Sequence, residues 1–397
     1  MNHENKIEWQ EVELSEICKI VSGSTPNTSK EEYWKNGDIC WITPAEINDG
    51  NNGYYYETKK KITKKGLESA SINIFPRGTV MLTSRAPIGK VAIAGKDMCS
   101  NQGFKNFICD TDKLNPEYLY FWLRLKKGYL NSIGHGATFK EISKSMVSKI
   151  KIILPFLNGK PNLKEQERIV RILEKAEKMK EGGKKTIDLL DEYLKVIFFE
   201  MFYNKRFEEI ELGNERICLV SGEYGSGASA KSFDGKIRYI RITDIDENGS
   251  LRSEKVSPSK IEERYFLKKG DLLFARSGAT VGKTYLHNKE DNFQYAGYLI
   301  RFRFNNKIVP GYVYFFTKTP KYLNWISLVQ KVVAQPNINA KQYSSLKIPL
   351  PPISLQEKFD SIVEQVEKMK ENIKETNQNS EELFNSLMSK AFRGELS

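Results

Sequence analysis

The chain has 397 residues, 40% of them apolar, and carries 62 Lys and Arg against 50 Asp and Glu, a formal net charge of +12. That length holds two or three domains, and the charge points to an anionic partner. No apolar run is long enough to cross a bilayer, and five cysteines without a Cys-x-x-Cys pair and only three histidines (His3, His135, His287) argue against a disulfide scaffold or a zinc site, so the chain reads as reduced and cytoplasmic.

The first half, residues 1–162, shows short β-branched and aromatic runs punctuated by Gly, Asn and Asp, the pattern of a mostly-β unit. Its early loop, Ser22-Gly-Ser-Thr-Pro-Asn-Thr28, offers Thr25 and Asn27 as short polar contacts for phosphate or base edges. Trp41-Ile-Thr-Pro-Ala-Glu-Ile47 follows, with Thr43 as a further candidate, and then a basic run from Lys59 to Lys65. Arg77 to Lys90 reads as a hairpin whose Gly turn is flanked by Arg85 and Lys90. Arginine forks onto guanine and lysine holds phosphate, so both are candidate DNA contacts. Residues around 116–131 look helical. Ile150-Lys-Ile-Ile-Leu-Pro155 reads as a strand that the proline ends before a helix.

That helix spans residues 163–205 and has a 3-4 seam through Ile169, Ile172, Ala176, Met179, Gly183, Thr186, Leu190, Tyr193 and Ile197. The second half, residues 206–354, repeats the first in outline. Ser221-Gly-Glu-Tyr-Gly-Ser-Gly227 nominates Tyr224, and Tyr239-Ile-Arg-Ile-Thr-Asp-Ile245 nominates Arg241 and Thr243. Lys269 to Lys283 nominates Arg276, Ser277, Thr280 and Lys283. Within it Gly278-Ala-Thr-Val-Gly-Lys-Thr284 has one residue too few between its glycines for a nucleotide-binding P-loop and reads as a turn carrying a basic side chain. Residues 310–329 look helical. A second long helix, 355–397, has its seam at Phe359, Ile362, Val366, Met369, Ile373, Thr376, Ser380, Leu383 and Leu387.

A shift of 190 residues lays Gln166 on Gln356 and continues without a gap: Glu177, Lys178, Met179, Lys180 and Glu181 meet Glu367, Lys368, Met369, Lys370 and Glu371. Two matched seams make an intramolecular helix pair the expected arrangement. Net charge follows the same division. It is +6 over 1–162, +1 over 163–205, +8 over 206–354 and −3 over 355–397, so the positive excess lies in the two globular halves. A phosphate-binding surface repeated twice has this distribution. Nothing supplies a catalytic constellation: there is no base-methylating Asp/Asn-Pro-Pro-aromatic motif, no glycine-rich S-adenosylmethionine site, no nuclease cluster and no helicase P-loop.

The ordered, doubled motifs resemble the specificity (S) subunit of type I restriction-modification systems. Those that carry the resemblance are Gly23-Ser-Thr-Pro with Tyr33-Trp34 and Trp41-Ile-Thr43, Tyr239 to Ile245, Gly270 to Lys283, Leu350-Pro-Pro-Ile-Ser-Leu-Gln-Glu357, and Lys390-Ala-Phe-Arg-Gly-Glu-Leu396. The first half departs at Met81 to Gly89, which lacks the Gly-Ala-Thr core, and at Leu157-Asn-Gly-Lys-Pro-Asn-Leu163, which adds residues before the Gln-Glu pair. The resemblance implies an α+β fold of two target recognition domains, each followed by a conserved helical spacer. It implies that the helices form an antiparallel coiled coil with pseudo-two-fold symmetry that holds the domains apart. It implies a non-catalytic chain that reads an asymmetric, split target on double-stranded DNA. Two adenine-methylating M subunits and the R subunits are the implied partners; S-adenosylmethionine, ATP and Mg then belong to those subunits and not to this chain. A helix of about 40 residues spans roughly 60 Å, which puts half-sites about one helical turn apart or slightly more. Two other readings are a recognition chain of a related nuclease-methyltransferase and a coiled-coil scaffold that does not touch DNA.

Overall fold

The computed structural model describes residues 7–48, 53–134, 140–203, 205–330 and 337–396. Two long helices dominate the chain, α1 (Leu163–Phe198), which runs on into a wide turn at Phe199–Tyr203, and α2 (Ile353–Ala391). Two compact units are present, residues 1–185 with 374–397 and residues 186–373. Each helix therefore begins in one unit and ends in the other, whereas the sequence reading had placed every helix in a segment of its own.

The first unit is built on a sheet of β1 (Cys18–Ser22), β2 (Val80–Thr83), β3 (Val91–Ala94) and β4 (Phe104–Cys109), in the order β1-β4-β2-β3, with Tyr54–Tyr55 at the edge. The four main strands pair antiparallel and Tyr54–Tyr55 joins β3 parallel. Strands β2 and β3 are buried along their length and, but for Thr83, apolar, as central strands covered on both faces are. Alternation sends Val80 and Leu82 to one face, against Tyr118, Phe121 and Trp122 of the helix Pro116–Leu125, and Met81 to the other, against Cys40, Ile42 and Phe75. Asn115 starts that helix by accepting the Tyr118 N–H, with Pro116 at the first position.

The second unit repeats the plan with β5 (Cys218–Tyr224), β6 (Asp271–Ala275), β7 (Thr284–His287) and β8 (Leu299–Phe304), in the order β5-β8-β6-β7, all antiparallel. Leu272 and Phe274 face Tyr312 and Phe316 of the helix Pro310–Phe316, and Leu273 and Ala275 face Ile240, Ile245 and Tyr295. Pro349 ends the strand Lys347–Pro349 before α2. In the first unit Pro155 does not: Lys151–Leu157 runs past it, paired with Glu8–Glu13. The chain then turns through Asn158 and Gly159, both at positive φ (52° and 73°), into Lys160–Pro161. An Asn-Gly pair supplies the left-handed conformation a two-residue hairpin turn needs, so the residues added in this half make a hairpin ahead of α1.

Within each unit the helix segments pair antiparallel. In the first, Lys180 bridges to Glu381 at 2.7 Å, while Ile169, Val170, Leu173 and Ala176 share a core with Phe384, Met388, Ala391 and Phe392. In the second, Lys370 bridges to Asp191, and Phe198 and Phe202 pack on Phe359 with ring centroids 5.2 and 5.6 Å away. Under the 190-residue shift the two ion pairs map onto each other.

The seam differs from the one read in the sequence at alternate positions. Ile169, Ala176, Leu190 and Ile197, and Phe359, Val366, Ile373 and Leu387, face inward as expected. Met179, Tyr193, Met369 and Leu383 do not; each is about half exposed, at 58, 47, 53 and 51%. The inward position lies one residue later, at Leu173, Lys180, Ile187 and Leu194 in α1 and at Val363, Lys370, Asn377 and Phe384 in α2. Of the remaining residues of the sequence seam in that row, Ile172 and Ile362 are half-buried beside it, and Thr186 and Thr376 are exposed. The physical reason is the pair of lysines. A seam traced through apolar residues passes over Lys180 and Lys370, yet Lys370 is 5% exposed because its ammonium is met by Asp191 and Glu367.

Gly182 and Gly183 lie inside α1 and differ in surroundings. A Cβ on Gly183 would fall 1.8 Å from Oδ1 of Asn377, whereas one on Gly182 meets nothing within 4 Å. Gly182→Ala is therefore expected to stabilise the chain by up to about 1 kcal/mol, through helix propensity alone, and Gly183→Ala to give less or to destabilise. Urea denaturation of both variants checks this, and equal gains would contradict the close approach at Gly183.

Candidate nucleic-acid interface

The ends of β2 and β6 share one backbone frame. In the first unit Ser84 N–H donates to Gly103 O (2.7 Å) and its carbonyl accepts from Ile142 (2.9 Å). In the second, Arg276 N–H donates to Tyr298 O (3.1 Å) and its carbonyl accepts from Ile338 (2.9 Å). The next residues, Arg85 and Ser277, bridge to Glu141 and Asn337. Ser84 thus holds the place of Arg276, and Arg85 that of Ser277, so the two arginines that flank the Gly turns stand one residue apart in the shared frame. After each frame a short helix starts at an Oγ or Oδ cap, Ser143 or Asn339.

Around Ser84 the side chains form a charged cluster. Arg85 Nε donates to Glu141 (2.9 Å), and Lys105, buried on β4, reaches Glu141 and the Ser84 hydroxyl at 3.3 Å each. Burial pushes the Glu141 carboxyl up, but Arg85 and Lys105 outweigh it and hold it below its ordinary range. Lys90 donates to the Ile47 carbonyl (2.8 Å), and Thr43 caps the turn Pro44–Glu46 through the Glu46 carboxylate (2.9 and 3.0 Å). The Thr25 hydroxyl bonds the Gln102 side chain. Asn27 is exposed and closes a turn onto Ser29 (2.8 and 3.0 Å). In the basic run, Lys61 and Lys65 pair with Glu57 and Glu32 across the surface, and Lys60 lies over the Trp34 ring at 5.7 Å.

Around Arg276 the arrangement is different. Its guanidinium lies 4.8 Å from the centroid of Tyr224, and its Nε donates to Asn337 Oδ1 at 3.3 Å. The Tyr224 hydroxyl is itself fixed by the Ala340 N–H (3.0 Å). Arg241 forks onto Asp244 (2.7 and 3.1 Å) and so closes the turn Ile242–Asp244, which matches Pro44–Glu46 of the first unit; Thr243 is exposed on it. Lys283 pairs with Glu247 (2.7 Å). Ser277 precedes the turn Gly278–Thr280, and the Thr280 hydroxyl donates to the Ser277 carbonyl (2.9 Å). That turn joins two antiparallel strands, so it lacks the following helix on which a nucleotide-binding loop depends.

Among the nominated residues, Arg85, Arg241 and Lys283 pair with carboxylates and Lys90 with a backbone carbonyl, whereas Asn27, Thr243, Tyr224 and Arg276 present polar atoms without a carboxylate partner. Lys105, Glu141 and Asn337 were missed. A lysine within an apolar strand gives no sign of its role, and Glu141 and Asn337 lie outside the aligned repeat segments. Among the described residues there is no group of three or more His, Cys, Asp or Glu placed to hold a metal, and no helix is long and apolar enough to cross a membrane.

The model of the type I restriction modification DNA specificity domain matches residues 6–189 and again 217–382. The chain belongs to that family. Its two matches follow the duplicated sheet plan, each including part of a long helix. Among curated proteins, this specificity-domain chain is 32% identical over 298 residues to the type I restriction enzyme MjaIX specificity subunit of Methanocaldococcus jannaschii, covering 69% of this chain and 67% of that one. It is 26% identical over 426 residues to the EcoKI specificity subunit of Escherichia coli K12, covering 98 and 89%. Among solved structures it resembles the S subunit from M. genitalium (TM-score 0.55, 19% identity, 99 and 98% covered). It also resembles a chain from a structure addressing complex assembly and conformational transition of the type I R-M system (TM-score 0.63, 17% identity, 100% of both). The fold of the family thus extends over the whole chain.

Proposed function

We propose that this chain is the DNA-recognition subunit of a type I restriction-modification complex. Each β unit reads one half of a split duplex target, and the two shared helices set the length of the unread gap. The observation that supports this most is the doubling of one sheet plan with different side chains at the same strand end, within a family match that covers both copies. Two readers on one frame suit an asymmetric target. The positive excess lies in the globular halves, where phosphates would be met.

The chain itself performs no chemistry in this reading. It positions two M subunits, which use S-adenosylmethionine to methylate adenine, and R subunits, which use ATP and Mg to drive restriction. It works in the cytoplasm. Exposed pairs such as Lys65–Glu32 are weak and exchange readily for a phosphate.

Retention of a random duplex by the purified chain, alone and with M subunits, tests the reading. Affinity is expected to fall linearly with salt on logarithmic axes, with one unit of slope lost for roughly each phosphate contact removed. A chain that binds M subunits but retains no duplex at any salt would be a scaffold instead.

A further inference from the structure

Most arginines near the strand ends are already matched by carboxylates. Arg241 is forked onto Asp244, Arg303 onto Asp271, Arg301 is paired with Glu223, and Arg85 with Glu141. Arg276 is not. It is half-buried, stacked on Tyr224 and held at Nε by an amide oxygen, and among the described residues Nη1 and Nη2 have no hydrogen-bond partner. An aromatic face and a neutral acceptor fix a guanidinium without cancelling its charge. What remains is a positioned pair of donors with the spacing of guanine O6 and N7.

We propose that Arg276 is the residue by which the second unit recognises a guanine, with Tyr224 and Asn337 as the positioning residues that aim it. This rests on the DNA-recognition reading above. The first unit has Ser84 at the matching backbone position, and the guanidinium next to it, Arg85, is paired with the Glu141 carboxylate. The preference therefore belongs to one half-site only. Because each half-site is double-stranded, the guanine can lie on either strand.

The test is methylome mapping in cells that make the chain with its M subunits, comparing wild type, Arg276→Ala and Arg276→Lys, alongside duplex retention by each complex. The wild-type motif is expected to hold a G·C pair in at least one half. Arg276→Ala is expected to lose discrimination at one such pair by on the order of 10- to 100-fold, with the other half unchanged. Arg276→Lys keeps the charge and loses the fork, so it is expected to retain duplex without restoring the preference. The proposal is overturned by a motif without G·C pairs, by unchanged halves in the Ala variant, by a change in both halves, or by restoration in the Lys variant. Uniform weakening on all sequences, with a salt slope shallower by about one, would make Arg276 a phosphate ligand, leaving DNA recognition standing. A wild-type complex that retains no duplex would overturn the recognition reading itself.

Discussion

Gln356→Leu is expected to destabilise the second unit by about 2–5 kcal/mol, and Gln166→Leu to do the same in the first. Both side chains are fully buried near the starts of the long helices. Gln356 Oε1 accepts the Val309 N–H (2.9 Å) and its Nε2 donates to the Pro351 carbonyl (2.8 Å). Gln166 does likewise with Asn115 N–H and the Lys113 carbonyl, at 2.9 Å each. Each amide ties the start of a long helix to the segment that opens the domain helix, Pro310–Phe316 or Pro116–Leu125. Leucine fits the volume but strands one N–H and one carbonyl, part-buried or buried, each costing up to roughly 1–3 kcal/mol. Urea denaturation of single and double variants measures this. A loss below about 1 kcal/mol in both singles would mean that water replaces the amide.

Removing one heptad from each long helix, residues 182–188 and 373–379, is expected to shorten the unread gap of the DNA target by about three base pairs. Seven residues carry about 10 Å of helix rise, against 3.4 Å per base pair. Inward positions recur every seven residues in both helices, so the cut preserves the phase of the seam. The half-site bases should stay the same, because no nominated contact in either β unit is touched. Methylome mapping of the shortened chain with its M subunits decides the matter. An unchanged gap with altered half-site bases would show that the helices do not set the spacing.

Much of this was legible in the sequence for identifiable reasons. The 190-residue repeat is gapless in the helices because a seam fixes spacing, and it is broken in the β units because loops vary while strands do not. The long helices followed from periodicity, and the segments near 116 and 310 and the matching strand runs from their composition. Three things were hidden. Lys180 and Lys370 mark the seam but are polar, so apolar tracing settled on Met179 and Met369 instead. Pro155 lies in a strand that continues, because pairing with Glu8–Glu13 over six residues outweighs the one donor it lacks. The turn after β6 has one more residue than the turn after β2, and only the backbone hydrogen bonds show that Ser84, not Arg85, stands where Arg276 does.

The two cross-helix ion pairs have a consequence for assembly. Each repeat holds both partners, a lysine and a carboxylate eleven residues later: Lys180 with Asp191 in one, Lys370 with Glu381 in the other. Such a helix is self-complementary. Two identical copies of one repeat, set antiparallel, would satisfy the same contact twice, which is the requirement of an isologous two-fold interface. The joint does not depend on which recognition loops a repeat carries, so readers of different sequence can be exchanged on it without redesigning the helices.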